Sequence, residues 1–170
     1  MTKPMATTLA TQTLSLAGEY ATAAELCRRG VYCQLTLGNY KKTDLIVDSG
    51  DKFYRVSVKT KQGTNWARVT GIWQPQDLLV LVDFHGKDLE TRPDFYILTV
   101  SAWKRAMNAK LAGNSDKRPE INSENTIFWP PSEGKKDGWK GCQVSIADVA
   151  NYLERWPAMR QSLSSAENAA

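Results

Sequence analysis

The segment TDLIVDSGDKFYRVSVKTKQG, residues 43–63, decides the fold that we predict for this chain. Two β-prone runs flank a cluster of Asp, Ser and Gly, which predicts two short strands joined by a tight turn. Asp44 opens the first strand and Lys59 lies within the second. Because side chains alternate across a strand, Val56 and Val58 should face one way and the polar residues between and after them the other. A lysine at mid-strand, beside an acid that opens the neighbouring strand, is unusual for a purely structural hairpin.

Before this hairpin, the sequence predicts a helix and then a strand. Apolar residues recur at helical spacing from Leu16 to Arg29, and Gly30 supplies a stop signal. The run VYCQLTL at 31–37 has the composition of a strand. Residues 1–15 are rich in Thr and Ala and lack a periodic apolar face, so we predict a loose tail there.

After the hairpin, polar connections alternate with apolar elements. The run from Leu78 to Phe84 is almost continuously apolar and predicts a strand buried on both faces. The other expected elements are a polar loop at 62–76, a strand at 94–100, a helix from an N-cap at Ser101 to about Leu111, a long surface loop at about 112–141, a helix at 144–155 and a frayed tail at 160–170. We therefore predict one domain at 16–159, built as an α/β sandwich around a mixed sheet.

The composition is that of an ordinary soluble globular domain. The 170 residues are 42% hydrophobic and 24% charged, with a net charge of +4 that permits a polyanionic partner without requiring one. No run of about 18 apolar residues occurs, so a membrane span is not expected, and the N-terminus lacks the apolar core of a secretory signal. Three cysteines without CxxC spacing indicate reduced thiols in a cytoplasmic protein, and the single histidine, His85, excludes a His-rich zinc site.

Asp44 and Lys59 carry the side chains that a metal-dependent phosphodiesterase site needs. Hydrolysis of a phosphodiester requires a nucleophilic water and positive charge near the phosphate, and a carboxylate-held Mg²⁺ supplies both. A nearby lysine can orient or deprotonate the water. Glu19 joins them if the N-terminal end of the first helix packs over the hairpin. The simpler alternatives are a strand-start aspartate, a solvated lysine, and a glutamate that the helix dipole favours whatever its role.

Several segments together resemble the PD-(D/E)XK nuclease superfamily, within it the branch of small Holliday-junction-resolvase-like and homing-endonuclease-like proteins. The segments that carry the resemblance are GEYATAAELCRRG (18–30), TDLIV (43–47), YRVSVKTKQG (54–63), PDFYIL (93–98) and GWKGCQVSIADVANYLERW (138–156). They span most of the chain from about Gly18 to Trp156. The resemblance implies a restriction-endonuclease-like core of order α-β-β-β-α-β, with a central mixed sheet flanked by helices.

The resemblance also implies a function, that of a Mg²⁺- or Mn²⁺-dependent DNA endonuclease, with branched or other structured DNA among its expected substrates. Carried over residue by residue, Glu19 resembles the helix-borne acid, Asp44 the principal metal ligand and Lys59 the catalytic lysine. Related nucleases commonly act as dimers, so the resemblance further implies a homodimer or a higher homo-oligomer, with DNA as the partner.

One position departs from the family pattern. Two residues before the lysine, where the family has an acid or a glutamine, this chain has Ser57, and a neutral hydroxyl is a weak metal ligand. Three outcomes are open. The metal binds weakly through the remaining oxygens with Ser57 as an auxiliary ligand, or a nearby residue such as Gln62 compensates, or the domain only binds DNA or a protein. A more distant alternative is an accessory protein of a mobile element that does not contact nucleic acid.

Residues that follow the lysine are candidates for contacting DNA, since aromatic rings beside cations suit nucleic acid. These candidates are Lys61, Gln62, Trp66 and Arg68. Packing in the core is the alternative for Trp66. Glu25 lies six positions along the helix from Glu19 and is expected on the surface.

Overall fold

A five-stranded mixed sheet forms the centre of the computed structural model, which describes residues 8–36, 43–50 and 52–157. The first six strands in chain order are β1 (Tyr32–Leu35), β2 (Leu45–Asp48), β3 (Phe53–Lys61), β4 (Trp66–Val69), β5 (Asp77–Asp83) and β6 (Asp94–Thr99). The central sheet has the order β1-β2-β3-β5-β6, in which β3 and β5 are parallel and the other neighbours antiparallel. With helices packed on both faces, this sheet confirms the predicted α/β class.

The predicted hairpin forms as β2 and β3, and its turn uses the residues that the sequence indicates. Within the turn, the Gly50 N–H donates to Oδ1 of Asp48 at 2.8 Å, and the Ser49 N–H donates to the Lys52 carbonyl at 2.9 Å. Gly50 has a φ of 87°, a left-handed conformation that is unfavourable for residues with a Cβ. A glycine is therefore favoured where the chain reverses.

Helix α1 (Thr11–Arg28) packs on one face of the sheet and begins at Thr11 rather than at Leu16. Its first turn is exposed, so no apolar periodicity marks it in the sequence, and residues 11–15 of the predicted tail are helical. Gly30, with a φ of 73°, follows its end as predicted. The apolar cluster on this face includes Leu26, Leu45, Val47, Val56, Val58, Leu78, Val80 and Val82. The predicted inward orientation of the two β3 valines is therefore confirmed.

Helix α2 (Val100–Ala112) packs on the opposite face, against β5 and β6. The apolar cluster on this side includes Leu79, Leu81, Leu98, Trp103 and Met107. Because helices cover both faces, β5 is buried at every position, as its continuous apolar sequence predicts. The N-cap is Thr99 rather than the expected Ser101, since the Thr99 Oγ1 accepts the N–H of Ala102 at 3.3 Å.

The segment predicted as a long surface loop, at about 112–141, contains strands. These are β7 (Glu120–Ile121), β8 (Ile127–Trp129) and β9 (Trp139–Lys140), which form a three-stranded antiparallel sheet. Ile127 is 1% exposed and joins the apolar cluster on the α2 side. Strands of two or three residues are too short for alternation to be visible in a sequence, which explains why the prediction missed them.

The connection from β3 to the parallel strand β5 holds a strand where we expected a polar loop or, from the implied core order, a helix. Within it, β4 pairs antiparallel with β10 (Cys142–Val144), which comes much later in the chain. The implied core order is therefore found from α1 to β3. The second helix, α2, follows β6 instead of β3. Trp66 of β4 is 1% exposed, and its indole N–H donates to the Val82 carbonyl at 3.0 Å.

The C-terminal helix predicted at 144–155 is much shorter in the structure. It is replaced by α3 (Ile146–Val149) and a 3₁₀ turn at Ala150–Tyr152. Of the predicted apolar face, Val149 is buried, whereas Ile146 and Leu153 are 40% and 46% exposed. Leu153 leaves the helix because its backbone bridges to β6. The frayed tail predicted at 160–170 lies outside the described residues.

No described helix combines the length and the apolar character that crossing a membrane requires.

The three cysteines, Cys27, Cys33 and Cys142, are free thiols, and the Sγ atoms of the first two lie 3.9 Å apart. Burial raises the pKa of the Cys33 thiol to about 12, so this thiol is uncharged at neutral pH.

Glu25 is buried, in contrast to the surface position that we expected. It is 6% exposed and accepts hydrogen bonds from Arg92 at 2.8 Å, from Arg28 at 3.1 Å and from Arg29. Arg92 also donates to Glu154 at 2.7 and 3.1 Å, so the network ties α1 to the C-terminal segment. The hydrogen bond from Arg92 is the main cause that lowers the pKa of Glu25 to about 2.

Replacing Glu25 with glutamine is expected to lower the free energy of unfolding by about 2 kcal/mol near neutral pH. The folded-state pKa of about 2 lies below the ordinary value of 4.5. The carboxylate therefore stabilises the fold fully above that ordinary value, and its contribution is lost as the pH falls through 2. Urea unfolding at several pH values should show the difference between variant and wild type vanishing in acid. The exposed Glu90→Gln is the control, and a difference that does not change with pH would contradict the explanation.

Candidate functional site

The strands β2 and β3 part after the pair Leu45↔Val56, which leaves an opening in the central sheet. From Ser57 to Lys61, β3 pairs with β5 on its other side and has no partner in β2. Asp44 precedes β2 and lies at this opening, where its N–H donates to the Val56 carbonyl at 2.8 Å. The predicted hairpin thus places Asp44 beside the part of β3 that carries the predicted lysine.

The Asp44 carboxylate occupies the place of a strand partner for β3. Its Oδ2 accepts the N–H of Val58 at 2.6 Å. On the other side, Thr36 at the end of β1 donates its N–H to the Asp44 carbonyl at 3.0 Å. Asp44 is half-buried, so the Val58 N–H holds a carboxylate that solvent still reaches, while Thr36 holds the Asp44 backbone. This position differs from that of an ordinary strand-start aspartate, because the side chain is bonded to the backbone of the neighbouring strand.

Gly18 brings α1 into direct contact with β3. A Cβ on Gly18 would lie 1.9 Å from the Oγ1 of Thr60, so the helix reaches this distance because residue 18 has no side chain. The Gly18 carbonyl accepts the hydroxyl of Thr22 at 2.8 Å, and both residues are buried. Sequence reasoning did not assign Gly18 a role, although a glycine inside a helix and directly before the candidate Glu19 was the available signal.

The charges of Asp44 and Lys59 both act on the carboxyl of Glu19 in the structure. The pKa of the Glu19 carboxyl is raised, first by partial burial and then by the negative charge of Asp44, while the Lys59 ammonium opposes the shift. The helix therefore packs with Glu19 near the hairpin, as the site hypothesis requires. Two carboxylates that repel each other, next to an ammonium, form an arrangement that an added cation would stabilise.

Ser57 and Gln62 are the two residues on which the sequence left alternatives open. Ser57 is 7% exposed and pairs with Leu79 of β5, two residues before Lys59 and on the same face of β3. The Oε1 of Gln62 accepts the N–H of Leu9 at 3.0 Å. This amide oxygen therefore anchors the chain that precedes α1, which argues against Gln62 as a compensating metal ligand.

Lys61 and Trp66 were predicted to contact DNA, but both are buried. Lys61 is 3% exposed, its Nζ lies 2.6 Å from Oδ1 of Asp83, and it stands 4.6 Å from the centre of the Trp66 ring. Asp83 also accepts the N–H of His85 at 2.8 Å. The predicted aromatic and basic edge is therefore an internal ion pair covered by a core indole, and neither side chain is available to a phosphate or a base.

Arg68 is the predicted DNA-contacting residue that remains on the surface. It lies in β4, is exposed, and has a φ of 51°, which is unusual for a residue with a side chain. The pairing of β4 with β10 shifts register between Cys142 and Val144, and such irregularities re-aim strand side chains. Its role in DNA contact stays a prediction.

The donor groups of the site fit Mg²⁺ better than a metal that needs a full protein cage. Within the described parts of the chain, no three His, Cys, Asp or Glu side chains gather to hold a metal ion. The two carboxylates of Glu19 and Asp44 are the available pair. Mg²⁺ commonly keeps several waters and is bound through one or two carboxylates together with substrate phosphates. Zinc, which needs three or four nitrogen or sulfur ligands, does not fit.

Comparison with known proteins finds structural similarity over part of the chain and no matching family. No protein-family model matches the chain, and no curated protein matches it. Among solved structures, a bacterial homing endonuclease, I-Ssp6803I, is similar with a TM-score of 0.41 and 19% sequence identity, over 55% of this chain and 68% of that one. A likeness of this size establishes no family and no activity for the chain.

Proposed function

We propose that this protein is a Mg²⁺-dependent DNA endonuclease that hydrolyses phosphodiester bonds at Asp44, Glu19 and Lys59. The observation that supports it best is the position of the Asp44 carboxylate, whose Oδ2 accepts the N–H of Val58 at 2.6 Å, one residue before Lys59. Burial first, and the negative charge of Asp44 second, raise the pKa of Glu19, which indicates that Glu19 lies near the same place. Carboxylates from two different elements stand close enough to repel each other beside a lysine, at an opening in the sheet. A divalent cation bound between the two carboxylates would relieve that repulsion.

Each residue has a defined part in this proposal. Asp44 and Glu19 would hold the Mg²⁺, which when bound supplies positive charge at the phosphate and a more acidic water. Lys59 would orient the attacking water or stabilise charge on the pentacovalent phosphate. Ser57 would be an auxiliary oxygen donor. Because each strand of a duplex needs one site, we also propose that two or more copies act together, which light scattering of the purified protein tests.

Cleavage assays test the proposal directly. Supercoiled, linear and four-way-junction DNA are incubated with the protein and Mg²⁺, Mn²⁺ or EDTA. We expect cleavage with either metal, none with EDTA, and a loss of about a hundredfold or more in Lys59→Met, from removal of charge stabilisation at the phosphate. Lys104→Met, at an exposed lysine of α2 outside the site, is the control. Wild-type protein that cuts none of these DNAs with either metal would refute the proposal.

Replacing Ser57 with glutamate is expected to raise cleavage. A carboxylate at this position adds negative charge next to Asp44 and a third oxygen donor for Mg²⁺. We expect the Mg²⁺ concentration that gives half-maximal rate to fall by about tenfold, comparable to the effect of one supporting ligand. Ser57→Gln, which adds an oxygen without the charge, is the comparison. An unchanged Mg²⁺ requirement in a folded Ser57→Glu protein would show that residue 57 lies outside the metal's reach.

A second function, a module that binds DNA or a protein without cutting, is favoured by one observation. Ser57 leaves the site with two carboxylates, and no larger cluster of metal-ligating side chains occurs among the described residues. This alternative predicts salt-sensitive DNA binding that Asp44→Asn leaves unchanged, together with no cleavage under any metal. The same assays therefore separate the two functions.

A further inference from the structure

The face of the sheet opposite α1 is accessible to solvent along β1, β2 and the first residues of β3. Leu45 and Val47 of β2 are fully buried against the α1 side, so Asp44, Ile46 and Asp48 lie at positions that alternation places on the other face. Helix α2, which covers that face further along, packs against β5 and β6. Within the described residues, the face is therefore accessible along β2, β1 and the start of β3, whereas Ser57 and Lys61 further along β3 are buried.

The strand register arranges this surface in rows that lead away from Asp44. The first row beyond it joins Gln34, Ile46 and Arg55, which are cross-strand partners, and the second joins Tyr32, Asp48 and Phe53. Rows on one face are about 6.7 Å apart, so the second row is about 13 Å from the Asp44 position. Its two outer residues are about 10 Å from each other across the strands.

The two outer residues of the second row are exposed aromatic rings. Tyr32 is 56% exposed and Phe53 is 66% exposed. A single exposed ring on a protein surface has no special meaning. Two rings at the same level of one sheet face, in line with a candidate cleavage site, form a platform on which separate bases can stack.

One cation lies in the row between the rings and the site. Arg55 is held by Asp77 at 2.8 and 2.9 Å with its side chain 39% exposed, so its guanidinium is fixed in place and still reaches solvent. Asp48, in the row of the rings, accepts the N–H of a turn glycine. A strand that runs from the rings to the site would therefore pass a preorganised guanidinium, a group that suits a phosphate.

We propose that this open face, defined by Tyr32, Gln34, Ile46, Arg55 and Phe53, binds a DNA strand whose bases are unpaired next to the cleaved phosphate. The inference rests on the proposed endonuclease function and specifies its substrate class. In a duplex, each base face is covered by its neighbours, so protein rings stack only on bases that are unpaired or at an end. The surface thus selects DNA with a flap, a junction or a single-stranded gap beside the site.

Binding assays without divalent metal test the inference independently of catalysis. A duplex with a single-stranded flap, labelled with 2-aminopurine in the flap, and a blunt duplex of the same sequence are titrated in EDTA. In Tyr32→Leu/Phe53→Leu, which keeps apolar bulk and removes the π faces, we expect affinity for the flap to fall about tenfold for each ring lost. Affinity for the blunt duplex should change less than about threefold. Quenching of 2-aminopurine by stacking should disappear.

Controls separate stacking from other roles of the rings. Tyr32→Phe/Phe53→Tyr should retain both the flap preference and the quenching, and Leu89→Ala, at another residue that is 75% exposed, should change neither. Circular dichroism confirms that each variant is folded, and a leucine variant that fails this check is replaced by the single substitutions. A flap preference that survives loss of both rings overturns the inference. So does a change from dimer to monomer with unchanged flap binding, since the rings then serve contacts between copies.

Failure of the inference and failure of the endonuclease proposal give different results. If the inference fails, the protein cuts DNA but the leucine variant binds and cuts flap and blunt DNA in the wild-type ratio. If the endonuclease proposal fails, wild-type protein cuts neither DNA, and its binding in EDTA still reports whether the rings select unpaired bases.

Discussion

Replacing Asp44 with asparagine is expected to reduce DNA cleavage by about a thousandfold or more, equivalent to about 4 kcal/mol of activation free energy. The variant removes one of the two negative charges that would hold Mg²⁺. It also removes the repulsion that helps to raise the pKa of Glu19. The measurement is the single-turnover cleavage rate at saturating and at limiting Mg²⁺.

Asparagine is the informative replacement because its amide oxygen can still accept the N–H of Val58, as Oδ2 of Asp44 does at 2.6 Å. The fold should therefore persist, with a change in the free energy of unfolding below about 1 kcal/mol. Asp137→Asn, at an exposed aspartate outside the site and outside the open face, is the control. Full cleavage by a folded Asp44→Asn protein would show that this carboxylate is structural.

Replacing Lys61 with methionine is expected to lower the free energy of unfolding by about 3–5 kcal/mol. Lys61 and Asp83 are 3% exposed each, and their charged atoms lie 2.6 Å apart. Removing the ammonium leaves the Asp83 carboxylate buried with no opposite charge, which is far more unfavourable than losing a surface ion pair. Urea unfolding measures the effect.

A double replacement distinguishes a lost charge partner from lost packing. Lys61→Met/Asp83→Leu should recover much of the lost stability, because an apolar pair of similar volume needs no partner charge. Lys59→Met, two residues earlier on the same face of β3, should leave the free energy of unfolding within about 1 kcal/mol while abolishing cleavage. Equal stabilities for the Lys59 and Lys61 variants would contradict the burial that separates these two lysines.

The elements that the sequence predicted well are those whose structure depends on neighbours in the chain. The turn at Gly50, the alternation of Val56 and Val58, and the continuous apolar run of β5 all follow from local backbone and burial rules. The mixed sheet follows from their order. By contrast, β4 and the short strands after α2 depend on partners far away in the sequence, so no local pattern announces them.

Burial of charged residues was the main feature that sequence reasoning could not supply. Glu25 was expected on the surface, and Lys61 beside DNA, because each is charged and most charged side chains are exposed. Each is buried because an opposite charge arrives from a distant segment, Arg92 in one case and Asp83 in the other. Such pairs become visible only when the topology is known.

The residue types of the candidate site were predictable from the sequence, but the contacts that hold these residues in place were not. Asp44, Glu19 and Lys59 were selected by their chemistry and by the family resemblance. The contact of Gly18 with Thr60 and the Val58 N–H that holds the Asp44 carboxylate depend on the approach of α1 and on the parting of β2 and β3. Neither can be inferred from residue spacing.

The pairing of β4 with β10 has a consequence for synthesis on the ribosome. The β4 strand emerges long before Cys142–Val144, so Trp66 lacks part of its cover until β10 has been made. Contacts between distant segments form late in folding, because the intervening chain must first be ordered. The crossover beside the strand that carries Lys59 is thus completed only after β10 has been synthesised, and a nascent chain that stalls before β10 presents apolar surface to chaperones.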